Sequence, residues 1–312
     1  MADDVILLPW HDHAATLGGA TDGLEVHAWA QGEAEPGPGV LDRVTFYVPQ
    51  YLGGRAALEV MSRMPSLRTV QSLWAGVDSV WPFLPDGVAL HNAAGVHDAS
   101  TAELAVGLAL ARLRGLDEFA RNQSTGSWLP QTNDSIADKR VLILGFGRIG
   151  QAIERRLAGF ECEVVRVARS ARTLEDGRTV HGMAELDDLL PTADVVILIL
   201  PATSETAGLV DAAFLARMPR GALLINVARG PVVVTDDLVA ALHDGQVRAA
   251  LDVTDPEPLP ADHPLWSAPG VLISPHVGGN STAFEPRARR LLTAQLRRLR
   301  AGEPLDNLLT RP

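Results

Sequence analysis

Three polar segments each close an apolar run: Asn226-Val227-Ala228-Arg229-Gly230, Leu251-Asp252-Val253-Thr254-Asp255-Pro256-Glu257-Pro258 and Ile273-Ser274-Pro275-His276-Val277-Gly278-Gly279. Between them they carry a guanidinium at Arg229, a carboxylate at Glu257 and an imidazole at His276. A guanidinium clamps planar oxyanions, an imidazole moves a proton near neutral pH, and a neighbouring carboxylate favours the imidazolium. Taken singly, each has a plainer reading: His276 as a turn cap, Arg229 in an ion pair, Glu257 facing water between prolines. Ligands of open α/β sheets bind beyond the carboxyl ends of strands, so these widely spaced residues can meet there.

A second constellation is Gly145-Phe146-Gly147-Arg148-Ile149-Gly150, a G-x-G-x-x-G element after an apolar strand and at the opening of a helix. Gly145 permits the tight turn, Gly147 lets a pyrophosphate approach the backbone, and Gly150 lets helix and sheet pack closely; the unpaired amides of the helix start attract phosphate. A dinucleotide site is expected, with a tight packing turn and a flavin site as the alternatives. An NAD-specific site places Asp or Glu at the end of the next strand, against the ribose 2'-hydroxyl. Here that point is Ala168, 23 residues after Gly145, followed by Arg169-Ser170-Ala171-Arg172. Arg169 and Arg172 could pair with a 2'-phosphate and Ser170 could donate to it, so NADP(H) is favoured, NAD(H) is possible, and a merely basic turn is the alternative.

The elements that must position these residues follow from the apolar pattern. Val5 to Leu8, Leu24 to Ala28, Val44 to Val48, Leu67 to Leu73 and Val88 to His91 are candidate strands, with helices from Leu52 to Met64 and around Gly76 to Trp81. Little polar alternation in these runs suits a parallel sheet covered on both faces. Thr101 to Ala120 predicts a long helix capped by Ser100 or Thr101, and Arg121 to Ser135 has no regular element. From residue 140 onward, strands at Arg140 to Leu144, Glu163 to Val167, Val195 to Leu200, Ala222 to Val227, Arg248 to Val253 and Val271 to Ser274 alternate with helices. One of these is Ile149 to Phe160, and another begins with Thr235 as its cap. That alternation predicts a doubly wound sheet. The last helix, Pro286 to Ala301, shows an apolar stripe of Leu291, Leu292, Leu296 and Leu299, its arginines forming a solvated face.

The chain has 312 residues, about twice the common domain size. With 27 basic against 38 acidic side chains its formal charge is -11, which argues against a nucleic-acid surface. All but one of the basic residues are arginine, Lys139 being the exception; no function is drawn from that. The single cysteine, Cys162, excludes an internal disulfide and lies among apolar residues as an inert thiol, which suits a reducing compartment. No metal site is expected, since His11-Asp12-His13 lacks a third ligand nearby. The acidic start has no basic secretory region and no apolar run approaches about 20 residues, so a cytoplasmic location without membrane association is expected.

With these motifs placed, the chain resembles the D-isomer-specific 2-hydroxyacid dehydrogenase family over nearly its whole length. The resemblance rests on the glycine loop, Leu200-Pro201 through Thr206 to Gly208-Leu209, Asn226 to Gly230, Asp252 to Pro258 and Ser274 to Gly279. Trp74-Ala75-Gly76-Val77-Asp78 and Asn92-Ala93-Ala94-Gly95 are weaker landmarks. It is closest to the glyoxylate or hydroxypyruvate reductase-like members. The resemblance implies an α/β fold of two Rossmann-like lobes with parallel sheets and a cleft between them. The cofactor lobe is inserted into the substrate lobe: 1–97 flavodoxin-like substrate domain, 98–279 nicotinamide dinucleotide-binding domain, 280–312 return to the substrate domain. It implies reversible hydride transfer between NAD(P)H and a small 2-oxo acid. His276 is the proton donor or acceptor, Glu257 its orienting carboxylate, and Arg229 the clamp on the oxo acid. Leu200, Pro201, Thr206, Val227, Ala228, Asp252 and Gly278 join the glycine loop as cofactor residues, and Trp74, Ala75 and Gly76 join Arg229 and His276 as substrate residues. It further implies a homodimer. Trp74 stands where a small residue is common, and would either narrow the acyl pocket or fill space. A phosphoglycerate dehydrogenase-like enzyme and a nucleotide-sensing corepressor are the alternatives within the same fold.

Overall fold

A computed structural model describes residues 4–311; Met1, Ala2 and Asp3 of the acidic start lie outside the described residues, as does Pro312. The chain forms two compact units. One contains the chain up to His97 and again from Thr282 onward, and the other is Asp98–Ser281.

In the first unit, strands β1 (Val5–Leu8), β2 (Glu25–Ala28), β3 (Phe46–Tyr47), β4 (Thr69–Gln71) and β5 (Ala89–His91) form a parallel sheet in the order β5-β4-β3-β1-β2. The short strand Leu308–Leu309 adds antiparallel to β5. All four residues of β1 are buried, the mark of a strand covered on both faces. The helix Phe284–Ala301 covers one face: Ala288, Leu292 and Leu296 are fully buried with Ile6, Leu8, Phe46 and Leu73, and Leu291 and Leu299 pack beside them. Its arginines reach neighbouring groups of the same unit, Arg300 the Gly19 carbonyl at 2.8 Å and Arg289 the Asp12 carboxylate at 3.0 Å. They clamp the helix to the loop it covers. The expected helix 52–64 is shorter, Ala56–Glu59 running into a 3-10 turn at Val60–Arg63. The expected helix 76–81 is absent. A 3-10 turn forms instead at Trp81–Phe83, with Pro82 in its first turn, where its missing amide has no bond to lose.

In the second unit, β6 (Arg140–Leu144), β7 (Glu163–Ala168), β8 (Arg172–Thr173), β9 (Thr179–Gly182), β10 (Val195–Leu198), β11 (Ala222–Asn226), β12 (Val247–Leu251) and β13 (Val271–Ile273) lie in the order β13-β12-β11-β10-β6-β7-β9-β8. All pairs are parallel except β8 with β9. The two-residue period of a strand splits the core. Leu142, Leu144, Val196, Leu198 and Leu224 pack on one face, and Val141, Ile143, Val195, Ile197, Leu223 and Ile225 on the other, beneath helices Asp98–Arg114 and Arg148–Leu157. From β6 the chain winds to β7 on one side and returns to β10 on the other, so the order reverses at β6. A crevice for a ligand opens at such a reversal.

Two helix expectations change here. The predicted single helix 101–120 is two, Asp98–Arg114 and Leu116–Ser124, parted by Gly115 in the left-handed region at φ 65. The second helix runs into the stretch expected to be irregular. Arg112, 5% exposed, pairs with Asp117 at 2.6 Å across the break, and Asp117 also takes Arg121 at 3.0 Å. Ser100 and Thr101 are inside the first helix rather than capping it. Their hydroxyls turn to Ser281 Oγ at 2.6 Å and the Gly278 carbonyl at 3.2 Å. Thr235 likewise is the first residue of the helix Thr235–His243, and its hydroxyl donates to the Asp255 carbonyl at 2.6 Å instead of capping.

Candidate functional site

The glycine loop leaves β6 at Gly145, whose φ of 114 no other residue type adopts without strain. A Cβ there would lie 2.3 Å from the Ile199 carbonyl oxygen, and one at Gly150 would lie 2.5 Å from the Gly145 oxygen. Both therefore serve close backbone contact, the first with the segment after β10, the second between loop and helix. Gly147 meets nothing within 4 Å, which is the open approach a pyrophosphate needs. It caps the helix Arg148–Leu157 with no side-chain bond, so the amides of the first turn remain for a ligand. Arg148 is exposed and bonds Asp98 at 3.0 Å, while Ile149 packs into the core.

Ala168 ends β7 with no carboxylate at the position that would meet a ribose hydroxyl. Arg169 is 80% exposed, 4.0 Å from Glu205, and Ser170 is exposed. Arg172, expected beside Arg169 as a partner of the 2'-phosphate, donates through Nη2 to the Phe146 carbonyl at 2.7 Å. Across the crevice, Leu200 and Pro201 begin a closed turn in which the Thr206 hydroxyl donates to the Pro201 carbonyl at 2.7 Å and accepts from the Thr203 amide at 2.9 Å. The side chains of Val227 and Ala228 are buried, so these two can meet a cofactor only through backbone.

Arg229, Glu257 and His276 follow β11, β12 and β13, three strands paired side by side. Backbone bonds tie the three loops together: Asp252 N to Asn226 O at 2.9 Å, Ser274 N to Leu251 O at 2.8 Å, and His276 N to Asp252 O at 2.7 Å. Gly230 touches the second loop so closely that a Cβ would sit 1.9 Å from the Thr254 oxygen. His276 holds a left-handed backbone at φ 51, and its Nδ1 is hydrogen-bonded to Glu257 Oε1, both side chains being partly exposed. Arg229 is half-buried and its Nη1 donates to the Ala228 carbonyl at 2.6 Å. Chemically, the arrangement can hold an imidazolium through one ring nitrogen and leave Nε2 to exchange a proton near a guanidinium-bearing loop.

Asp252 has an immediate task that the sequence did not show. Its buried carboxylate accepts from Ser274 Oγ at 2.6 Å, Val277 N at 2.9 Å and Gly278 N at 2.8 Å, so it fixes the path of the histidine loop. Gly278 is needed for that approach, a Cβ there falling 2.9 Å from Asp252 Oδ2. Asn226, named in the sequence only as the start of the arginine segment, has a role there that the sequence did not assign. Buried at the end of β11, its amide accepts from Ala228 N and donates to Arg229 O, both at 3.0 Å, which shapes the arginine loop. Its signal was an amide side chain ending a wholly apolar strand.

Within the first unit, Trp74 is half-buried against the core, 5.8 Å from the Tyr51 ring, and its amide is bonded to Ser72 Oγ at 3.0 Å. The Ala75 carbonyl accepts from Asn92 Nδ2 at 2.8 Å, so Ala75 and Gly76 belong to a tied turn. Burial pushes the Cys162 thiol up, in keeping with an inert side chain. Among the described residues, no helix is long and apolar enough to cross a membrane.

Comparison with known proteins shows the family. Residues 106–278 match the family described as D-isomer specific 2-hydroxyacid dehydrogenase, NAD binding domain. A glyoxylate reductase of Thermofilum pendens is 34% identical over 259 residues, covering 78% of this chain and 75% of its own. A D-isomer specific 2-hydroxyacid dehydrogenase of Xanthobacter autotrophicus Py2, solved with NADPH and MES, is 32% identical with a TM-score of 0.81, covering 99% of this chain and 98% of its own. An NADPH-dependent glyoxylate/hydroxypyruvate reductase of Sinorhizobium meliloti, solved with NADP and sulfate, is 28% identical with a TM-score of 0.83 over 98% of both chains. The chain belongs to the D-isomer-specific 2-hydroxyacid dehydrogenase family of NAD(P)-dependent oxidoreductases acting on 2-hydroxy acids.

Proposed function

We propose that the protein reduces a small 2-oxo acid, glyoxylate or hydroxypyruvate, to the D-2-hydroxy acid with NADPH as the preferred donor. The observation that carries this reading is the His276–Glu257 pair, held by strand register beside the Arg229 loop at the carboxyl edge of a dinucleotide-binding sheet. A bound nicotinamide supplies the hydride. Arg229 binds the oxo acid and stabilises charge on its carbonyl oxygen, and His276 Nε2 gives that oxygen a proton. Glu257, on Nδ1, orients the ring. Asp252 and Gly278 keep the histidine loop in place. On the first unit, the backbone of Ala75 and Gly76 is assigned to the acid's carboxylate and the Trp74 indole to a limit on its size.

Preference for NADPH is supported by Ala168, which offers neither an acceptor to a ribose hydroxyl nor repulsion to a 2'-phosphate, and by the exposed Arg169 and Ser170 beside it. The relatives from X. autotrophicus and S. meliloti were solved with NADPH and NADP. The experiment is kcat/KM with NADPH and NADH for glyoxylate, hydroxypyruvate, 2-oxobutyrate, phenylpyruvate and 3-phosphohydroxypyruvate. The first two acids with NADPH are expected to rank highest. A higher value for phenylpyruvate or the phosphorylated acid would refute the small-acid reading, and no turnover on any acid would favour a nucleotide-sensing role.

A homodimer in the cytoplasm is part of the same proposal. Leu116, Phe119, Trp128 and Leu129 stand exposed on and after the helix Leu116–Ser124, Trp128 at 93%, and several of them line a hollow of about 580 Å³. An apolar cluster of this kind marks an interaction surface. Sedimentation velocity should give twice the chain mass, and a monomer at micromolar concentration would rule it out.

A further inference from the structure

The glycine loop is gripped from the sheet edge beyond it. Phe146, the residue between the first two glycines, is 1% exposed, and its carbonyl accepts from Arg172 Nη2 at 2.7 Å. Its ring lies 5.9 Å from the guanidinium of Arg166 on β7. Arg166 is held by Glu154 of the helix Arg148–Leu157 at 2.6 Å, and the same carboxylate takes Arg178 at 2.5 Å. Arg178 comes from the turn joining β8 to β9, where it also bonds Asp176 at 2.6 Å. The β8–β9 hairpin, with Arg172 opposite Val180, is thus fastened to the loop at its open end and to the helix Arg148–Leu157 at its turn.

We propose that Arg172 is a positioning residue for the pyrophosphate loop, acting on any bound dinucleotide through the Phe146 carbonyl, and that discrimination of the 2'-phosphate falls to Arg169. A glycine-rich loop loses much conformational freedom on ordering, and an ordered partner reduces what binding must supply. The guanidinium draws the carbonyl oxygen toward itself. That oxygen would repel a phosphate, so by holding it the clamp sets the polarity the loop shows to a ligand. Arg169 has no such attachment. It is 80% exposed at the end of β7, with Glu205 4.0 Å away.

The proposal rests on the loop holding the cofactor's pyrophosphate, and calorimetric Kd values for ADP, NADH and NADPH test both. Arg172→Ala is expected to weaken all three by about five- to tenfold, the scale of one hydrogen bond. Arg172→Lys should recover most of the loss, because an ammonium can still donate to the Phe146 carbonyl. Arg169→Ala should weaken NADPH about tenfold and leave NADH and ADP within about twofold. A loss confined to NADPH in Arg172→Ala would make Arg172 a phosphate ligand and overturn the proposal. So would unchanged affinity for all three nucleotides, or a uniform loss with a lowered Tm that lysine does not restore. Failure of the unaltered protein to bind ADP or NADPH is a separate result, and it would overturn the cofactor reading itself.

Discussion

His276→Ala is expected to lower kcat for 2-oxo acid reduction at pH 7 by about 100-fold or more, within the 10²- to 10⁴-fold that general acid catalysis contributes. The proton that neutralises the carbonyl oxygen has no comparable source in the loop. Glu257 already accepts from His276 Nδ1, and Asp252 is buried with its oxygens taken by Ser274, Val277 and Gly278. Affinity for NADPH should change by less than about threefold, because the imidazole is assigned to the oxo acid and the pyrophosphate is assigned to the distant glycine loop. Stopped-flow rates of NADPH oxidation under single-turnover conditions would decide it, and near-normal turnover in a folded variant would remove His276 from the role of acid.

Arg229→Gln should be nearly as damaging, lowering kcat/KM for the oxo acid by about 10²- to 10³-fold, the loss seen when one donor to a developing oxyanion is removed. Glutamine keeps a donor but loses the charge and the planar fork that matches a carboxylate. Arg229→Lys should lie between the two, since an ammonium keeps the charge without the fork. The backbone around the substitution is held independently: Asn226 spans Ala228 N and Arg229 O, and Gly230 is pressed against Thr254. The variant is therefore expected to keep its Tm within a few degrees and its NADPH affinity within about threefold. Steady-state kinetics beside a thermal melt and a nucleotide titration checks all three. A kcat/KM within about threefold of the unaltered protein would assign Arg229 to loop structure, where its bond to the Ala228 carbonyl already places one of its donors.

By itself the sequence determined whatever depends on a residue's own sterics or on a short period. The unbroken apolar runs of β1, β10 and β11 required a sheet covered on both faces, and they are buried throughout. Gly145 and Gly150 were legible as the tight turn of a strand–loop–helix because only glycine tolerates those backbone contacts, while Arg229, Glu257 and His276 were singled out in polar segments after apolar strands and given roles only through the resemblance to the family. Tertiary structure decided the partners. Asp252 as the hub of the histidine loop, Asn226 as the brace of the arginine loop, Thr235 bonded to Asp255 rather than capping its helix, and Arg172 turned onto Phe146 all depend on contacts across neighbouring strands or between segments far apart in the chain. So did the break at Gly115, which gains a buried ion pair between Arg112 and Asp117 that the helical pattern alone does not call for. A polar side chain takes whichever donor or acceptor the strand register brings within about 3 Å, and no local periodicity encodes that register.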